Sequence, residues 1–251
     1  MPKLSPCNAA VWTHCPASIL FLEKSEAETG GFAATNNNKR LGRAAHLLAA
    51  NAMRGYFNLW DGVYTKRYIR KVDRPPMEAA ARWYKKQVLA HTTSDMIGFG
   101  IESTIGLESI IHQRGAMGKI DYFAYNADHI VVFDYKYGAE PIAAKWNHQL
   151  WLYAAGILAN KTWWHGSKVS VVVVQPALKT VRKQTLPADR VRKLAQTYTK
   201  KADKALSQLQ LPPELATYKP LKSVCMWCRG EAHCLALKKE KEKQNESHGN
   251  Y

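Results

Sequence analysis

The sequence predicts a mixed α/β fold, a central mixed β-sheet flanked by helices. Two helical stretches come first in the chain. Three strand-like runs then follow one another, IGFGIESTIGL, AMGKIDYFAYN and HIVVFDYKYG. After a further helical stretch comes a continuous β-branched run, KVSVVVVQP. Helices, a three-strand meander, a helix and another strand make a mixed sheet with helices packed against it.

Each element has a local reason. Ser5-Pro6 predicts a short helix, with Ser as N-cap and Pro in the first turn. The turn-rich TGGFAATNNNK follows. Ala and Leu dominate LGRAAHLLAANAMRGY, which predicts a helix from about Arg40 to Tyr56. A second helix is expected over Met77 to His91, after Pro75-Pro76. Asn126-Ala127-Asp128 reads as a hairpin link between the second and third strands. Ala143 to Leu158 reads as a helix, KVSVVVVQP as a buried strand and Leu186 to Leu209 as a long basic helix. There is no internal repeat and no long low-complexity linker.

The chain has 251 residues, 46% of them hydrophobic, enough for one large core or one core with a smaller lobe. No run of eighteen apolar residues predicts a transmembrane helix. The first residues hold no apolar signal-peptide core, so a cytoplasmic location, without membrane, is expected. The formal net charge of +16 suits a polyanion, nucleic acid before a membrane surface. Some of it lies in LALKKEKEKQ, which also reads as a solvated tail. The rest is spread over KRYIRKVDR, RWYKK, KTVRKQ and DRVRKLAQTYTKKADK. Lys and Arg of the last helix could hold phosphates or simply face water. Trp146, Trp151, Trp163 and Trp164 could stack on unpaired bases or belong to the core.

The run VVFDYKYG places Asp134 and Lys136 in an otherwise buried strand. Two residues apart, they share one face. Asp and Lys are rarely buried unless paired or coordinating something. If the hairpin pairs the two strands, Asp121 and Asp134 meet near one sheet edge, and Glu102 reaches the same place. Clustered carboxylate oxygens suit Mg²⁺ or Mn²⁺. Such an ion polarises a phosphate and lowers the pKa of bound water. Lys136 could orient that water and neutralise developing charge. His46, alone on an Ala-rich helix, reads by itself as structural. Gln149 and Tyr153, four apart on a helix, form either a polar stripe or a pair contacting DNA or the lysine.

Five cysteines, an odd number, argue against a disulfide framework. Cys225, Cys228 and Cys234 supply three thiolates in ten residues. A tetrahedral ion or an iron–sulfur cluster needs a fourth ligand, with Cys15 the first candidate and Cys7 the second. Zinc held by the three with Cys15 or His233 is an alternative, as are plain buried thiols. In either metal case the role expected is structural.

The series Gly42-x-x-x-His46, Gly118-x-x-Asp121, Asp134-x-Lys136 and Gln149-x-x-x-Tyr153 resembles that of RecB-like nucleases of the PD-(D/E)xK superfamily. FDYKYG and NHQLWLYAAG are most similar to phage-encoded single-domain members. Ile120 stands where the superfamily's name has proline. The likeness runs from about Leu4 to Leu237. It implies a restriction-endonuclease-like core. It also implies metal binding by His46, Asp121, Asp134 and the Tyr135 carbonyl, with Lys136 catalytic. The early Cys15 and late Cys225, Cys228 and Cys234 resemble the iron–sulfur branch, the AddB-type and CRISPR-adaptation nucleases. That implies a [4Fe–4S] cluster joining the chain ends.

A single nuclease domain over residues 1–251 is therefore expected. It comprises a helical N-terminal segment over residues 1–95, a catalytic core 96–185, a basic helix and cysteine segment 186–237, and a charged tail 238–251. The expected activity is metal-dependent exonucleolysis of linear DNA in phage recombination, replication or DNA degradation. Asp121, Asp134, Glu102, Lys136, Gln149 and Tyr153 would be the catalytic residues. A single-strand annealing protein or a helicase would fit as partner, and a homo-oligomer is compatible. The alternatives are a structure-specific endonuclease of the same fold and a non-catalytic DNA-binding protein.

Overall fold

The computed structural model describes residues 4–22, 25 and 37–239. The α-helices, in chain order, are α1 (Ala9–His14), α2 (Asn37–Arg54), α3 (Arg74–His91), α4 (Glu108–Ile111), α5 (His148–Asn160), α6 (Ala188–Ser207) and α7 (Lys222–Cys225). The strands are β1 (Gly98–Gly106), β2 (Met117–Tyr125), β3 (His129–Tyr135), β4 (Lys168–Gln175) and β5 (Thr180–Pro187). The chain divides into two compact units. One comprises Thr35–Ile105 and Gly118–Leu194; the other comprises Met1–Ala34, Gly106–Met117 and Ala195–Tyr251. They are called here the sheet unit and the cysteine unit.

The strands lie in the order β1-β2-β3-β4-β5. β2 pairs antiparallel with β3, β3 parallel with β4, and β4 antiparallel with β5, so the sheet is mixed. β3 and β4 are buried along almost their whole length, as central strands covered on both faces must be. Alternate residues serve opposite faces. Val131, Phe133, Tyr135, Val172 and Val174 join one core with Ala44, Ala45 and Leu48 of α2 and Tyr84 and Val88 of α3. α5, buried from Leu150 to Leu158, touches β3 and β4 and makes the crossover between these parallel strands. Ala44, Ala45, Ala49 and Ala52 are buried on α2, which packs against α3.

The structure differs from the sequence reading at several points. Ser5 makes no side-chain cap; Pro6 opens a 3₁₀ turn, and α1 follows at Ala9. Residues 29–36 of the turn-rich stretch and 240–251 of the tail lie outside the described residues. α5 begins at His148, five residues later than expected, because the Asn147 side chain accepts the Leu150 N–H at 3.2 Å and caps the helix. β5 was not expected at all. It lies at the sheet edge and carries Arg182 and Lys183 side by side, where charge blunts pairing with another chain. Lys136 follows β3 instead of lying within it, though its N–H still bonds the Val174 carbonyl at 3.0 Å.

Within the cysteine unit, Trp12 of α1 is buried and donates its Nε1–H to the Ser5 carbonyl at 3.0 Å. Tyr198, Ala202 and Ala205 form a buried stripe on α6, at helical spacing. Among the described residues, no helix is long and apolar enough to cross a membrane.

Candidate metal centre

The β2–β3 register sets Tyr122 opposite Phe133. One step further it sets Asp121 opposite Asp134, and opposite residues of an antiparallel pair share a face. The two aspartates thus meet at the end of the middle strand of the sheet, a correction to the expected sheet edge. Asp121 is held at both oxygens. Its Oδ1 lies 2.9 Å from His46 Nδ1, and its Oδ2 accepts the Tyr135 N–H at 2.7 Å. His46 reaches it from α2.

Glu102 comes from β1, where its φ is 50°. A non-glycine residue in the left-handed region of a strand costs of order 1–3 kcal/mol, and such strain gathers at functional sites. Glu102 Oε2 is 2.5 Å from Lys119 Nζ. Ligand atoms of His46, Glu102 and Asp121 all lie within 4.8 Å of one another.

Asp134 is only 3% exposed. Its Oδ1 pairs with Lys136 Nζ at 3.0 Å, whereas its Oδ2 is buried with no hydrogen-bond partner among the described residues. Burial first, then the Asp121 charge, raises its pKa above the ordinary carboxylate value, against the opposing pull of Lys136 and His46. For His46, burial lowers the pKa, but Asp121 and then Asp134 and Glu102 outweigh it, and the net shift is upward. Three carboxylates thus crowd together, each against one cationic partner: Asp121 with His46, Glu102 with Lys119 and Asp134 with Lys136. Oxygen donors with one imidazole and an unsatisfied buried carboxylate oxygen fit a hard divalent cation.

Two tyrosines lie beside this cluster. The Tyr135 ring meets His46 edge-on at 5.5 Å between centroids, and Tyr84 at 4.9 Å. Both hydroxyls are buried without a hydrogen-bond partner among the described residues. Burial, followed by the charges of Asp121, Asp134 and Glu102, pushes the Tyr84 phenol well up. The sequence reading missed Tyr84 and Lys119. Lys119 was discoverable, since it lies two residues before Asp121 on the same strand face.

Gln149 Nε2 donates to the Tyr153 hydroxyl at 3.0 Å, so the expected pair does form on α5. Trp151 and Trp164 are core residues at 1% and 2% exposure, which removes them as stacking candidates; Trp146 and Trp163 are exposed.

In the cysteine unit, Cys15, Cys225, Cys228 and Cys234 all line one cavity, together with Phe21 and Tyr218. Cys7 is exposed and does not line it. Cys15 Sγ accepts the Lys219 N–H at 3.4 Å, and Cys225 Sγ accepts the Leu221 N–H at 3.3 Å. Burial raises the Cys15 and Cys228 thiols, and neighbouring thiols add to it. Among the described residues, no three of these sulfurs lie within 4.8 Å of one another. Tetrahedral zinc, with Zn–S bonds of about 2.3 Å, would draw its sulfurs to roughly 3.8 Å apart.

Fold and site together define a mixed α/β protein with a histidine–carboxylate cluster at the end of its middle strand. The chain belongs to a family of proteins of unknown function, DUF2800, which it matches over residues 2–249. No curated protein matches it. Among solved structures it is similar to the protein titled SSO0001, at 14% identity over 86% of this chain and 95% of that one. The TM-score is 0.32, a likeness too slight to argue from.

Proposed function

We propose that the protein is a metal-dependent deoxyribonuclease that hydrolyses phosphodiester bonds from the ends of linear DNA. The observation that carries this reading is the buried Asp134 oxygen without a partner, beside His46, Glu102, Asp121 and Lys136. A buried acceptor left unsatisfied costs about 1–3 kcal/mol, more when charged. A divalent cation would satisfy that oxygen and relieve the crowding of the three carboxylates. His46, Asp121, Asp134 and the Tyr135 carbonyl would hold it, with Glu102 joining them. When bound, such an ion polarises a phosphoryl oxygen and lowers the pKa of a coordinated water.

The chain's own groups do the rest. Lys136 places an ammonium beside the attacked phosphate, where negative charge develops. The Tyr135 N–H and His46 fix the Asp121 carboxylate in one orientation. Gln149 and Tyr153 form a bonded pair that could orient the lysine or the strand. The RecB-like order of His46, Asp121, Asp134, Lys136, Gln149 and Tyr153 supports the same reading and, with it, a restriction-endonuclease-like core. The four cysteines, which line one cavity, then read as ligands of a structural [4Fe–4S] cluster, as the likeness to the iron–sulfur branch implies. A phage role in recombination, replication or DNA degradation, with an annealing protein or helicase as partner, belongs to the same proposal.

The test is a substrate panel with Mg²⁺ or Mn²⁺: end-labelled linear duplex, single strand and closed circle. Loss of label from linear DNA with intact circles is the expected result. Cutting of circles would reassign the protein as an endonuclease, and no cleavage of any substrate by protein with a loaded cysteine site would refute the enzyme reading.

A further inference from the structure

The cysteine unit holds a second cavity, of about 230 Å³, that nuclease chemistry does not use. Among the described residues, Lys201, Lys204 and Lys219 line it with His14, and no carboxylate does. Lys201 and Lys204 are three apart on α6 and share a face. Lys219 enters from the segment after Pro213–Leu215. Among the described residues, none of the three ammonium groups is ion-paired. The nearest acid in sequence, Asp203, is already engaged by His112 Nδ1 at 2.8 Å.

The polar groups behind the lysines are also taken. Thr13 Oγ1 donates to the Ala9 carbonyl at 2.5 Å, and Trp12 Nε1 to Ser5. The cavity thus offers cations on a fixed apolar and hydrogen-bonded floor. Burial and the charge of Lys219 lower the Lys201 pKa, so the two ammonium groups repel each other across the cavity. An anion between them would relieve that repulsion.

Lys219 is also tied to the thiols. Its N–H donates to Cys15 Sγ, and its neighbours Tyr218 and Pro220 line the thiol cavity. On the other side the Thr217 N–H donates to Gln208 Oε1 at 2.7 Å, and the Thr217 carbonyl accepts the Ala17 N–H at 3.2 Å. The Lys219 backbone is therefore pinned between α6's C-terminal turn and the thiols.

We propose that this cavity binds a phosphate of a nucleic-acid strand through Lys201, Lys204 and Lys219, and that the thiol site sets the position of Lys219. The three ammonium groups lining the cavity call for an anion such as a phosphate. The strand that carries it rests on the nuclease reading, in which a substrate needs anchoring beyond the reacting phosphate.

The experiment measures binding of a labelled single-stranded oligonucleotide by the full chain without divalent cation, so cleavage does not enter. Removing one lysine–phosphate interaction should flatten the slope of log K against log salt by about 0.7 for a single strand. Lys201→Glu with Lys204→Glu should weaken binding at least tenfold and flatten the slope; the charge control, Lys238→Glu with Lys239→Glu, should not match it. Lys201→Gln should act in the same direction with less risk to folding. Cys15→Ser should weaken binding too, and Lys219→Gln should add little in that background. Equal affinity and slope in the cavity and control variants would overturn the proposal. So would lysine-dependent binding of phosphatidylserine vesicles with oligonucleotide binding unchanged. If Cys15→Ser folds and binds as wild type does, the link to the thiols is refuted. Because binding is measured without divalent cation, loss of binding in the cavity variants supports this inference whether or not wild type cleaves DNA when Mg²⁺ is added, so the two readings fail separately.

Discussion

Replacing Asp134 with Asn tests the metal site through stability alone. Without a divalent cation, Asp134 is a buried anion at 3% exposure, with one oxygen bonded to Lys136 and the other to nothing. Asn keeps the shape and removes the charge. Lys136 retains 29% of its side-chain exposure, so it can turn to water when its partner becomes neutral. The metal-free Asn variant should therefore lie within about 1 kcal/mol of wild type, since it removes a buried charge that is costly to desolvate while the remaining Lys136 ammonium reaches water. With cation at 100 times its Kd, wild type should gain about 2.7 kcal/mol. For a chain of this length that is a rise in Tm of roughly 5–11 °C, at about 2–4 °C per kcal/mol. If the Asn variant binds 100-fold more weakly, the same concentration adds only about 0.4 kcal/mol, roughly 1–2 °C. Thermal melts followed by circular dichroism across an Mn²⁺ titration read both numbers. Equal Mn²⁺ shifts in the two proteins would refute the reasoning. So would a metal-free Asn variant weakened by more than about 3 kcal/mol, because Asp134 would then be a structural ion-pair partner.

Lys136→Ala should reduce cleavage by about 10²–10⁴-fold, the range of a lost proton-handling or charge-stabilising group, while the Mn²⁺ shift in Tm survives. His129, bonded through Nε2 to Ser170 Oγ at 2.8 Å, has its pKa lowered from 6.5 to about 4 by burial and the charges of Lys183 and Lys168. The unfolded chain therefore binds more protons between pH 6.5 and 4. His129 should cost stability progressively as pH falls through that window and nothing above it, and His129→Gln should flatten that stretch of a Tm–pH curve. At Gly166 an added Cβ would meet the Ala127 carbonyl oxygen at 2.7 Å, so Gly166→Ala should cost about 1–3 kcal/mol in a urea titration. Protein purified without oxygen should contain iron and sulfide in equal amounts, and Cys228→Ser should lose both and melt lower; zinc alone would favour the tetrahedral site instead.

The sequence made the centre of the sheet legible because its pattern is local. The apolar runs of β3 and β4, and the Asn126–Asp128 link, define the strands and the hairpin. With the hairpin in place, the thirteen-residue step from Asp121 to Asp134 puts the two carboxylates opposite each other. β5 escaped because Arg182 and Lys183 break its apolar pattern, and its role as a paired edge depends on β4. The start of α5 escaped because Asn147 shows its capping role only through the bond to Leu150. Glu102 was placed near the site, but its left-handed backbone was not, since no pattern of residue types encodes it. Tyr84 is a core tyrosine on α3, brought to the cluster only by packing against Tyr135. Cys15 could be favoured over Cys7 but not placed, because its cavity joins residues more than 200 positions apart.

The most direct test of the account is single-turnover digestion of end-labelled linear duplex, with Mg²⁺ or Mn²⁺, by wild type and by Asp134→Ala. Release of label by wild type alone, abolished by chelation and restored by the cation, is the predicted result. Equal release by both proteins, or none by a wild type whose melting temperature does rise with Mn²⁺, would contradict it.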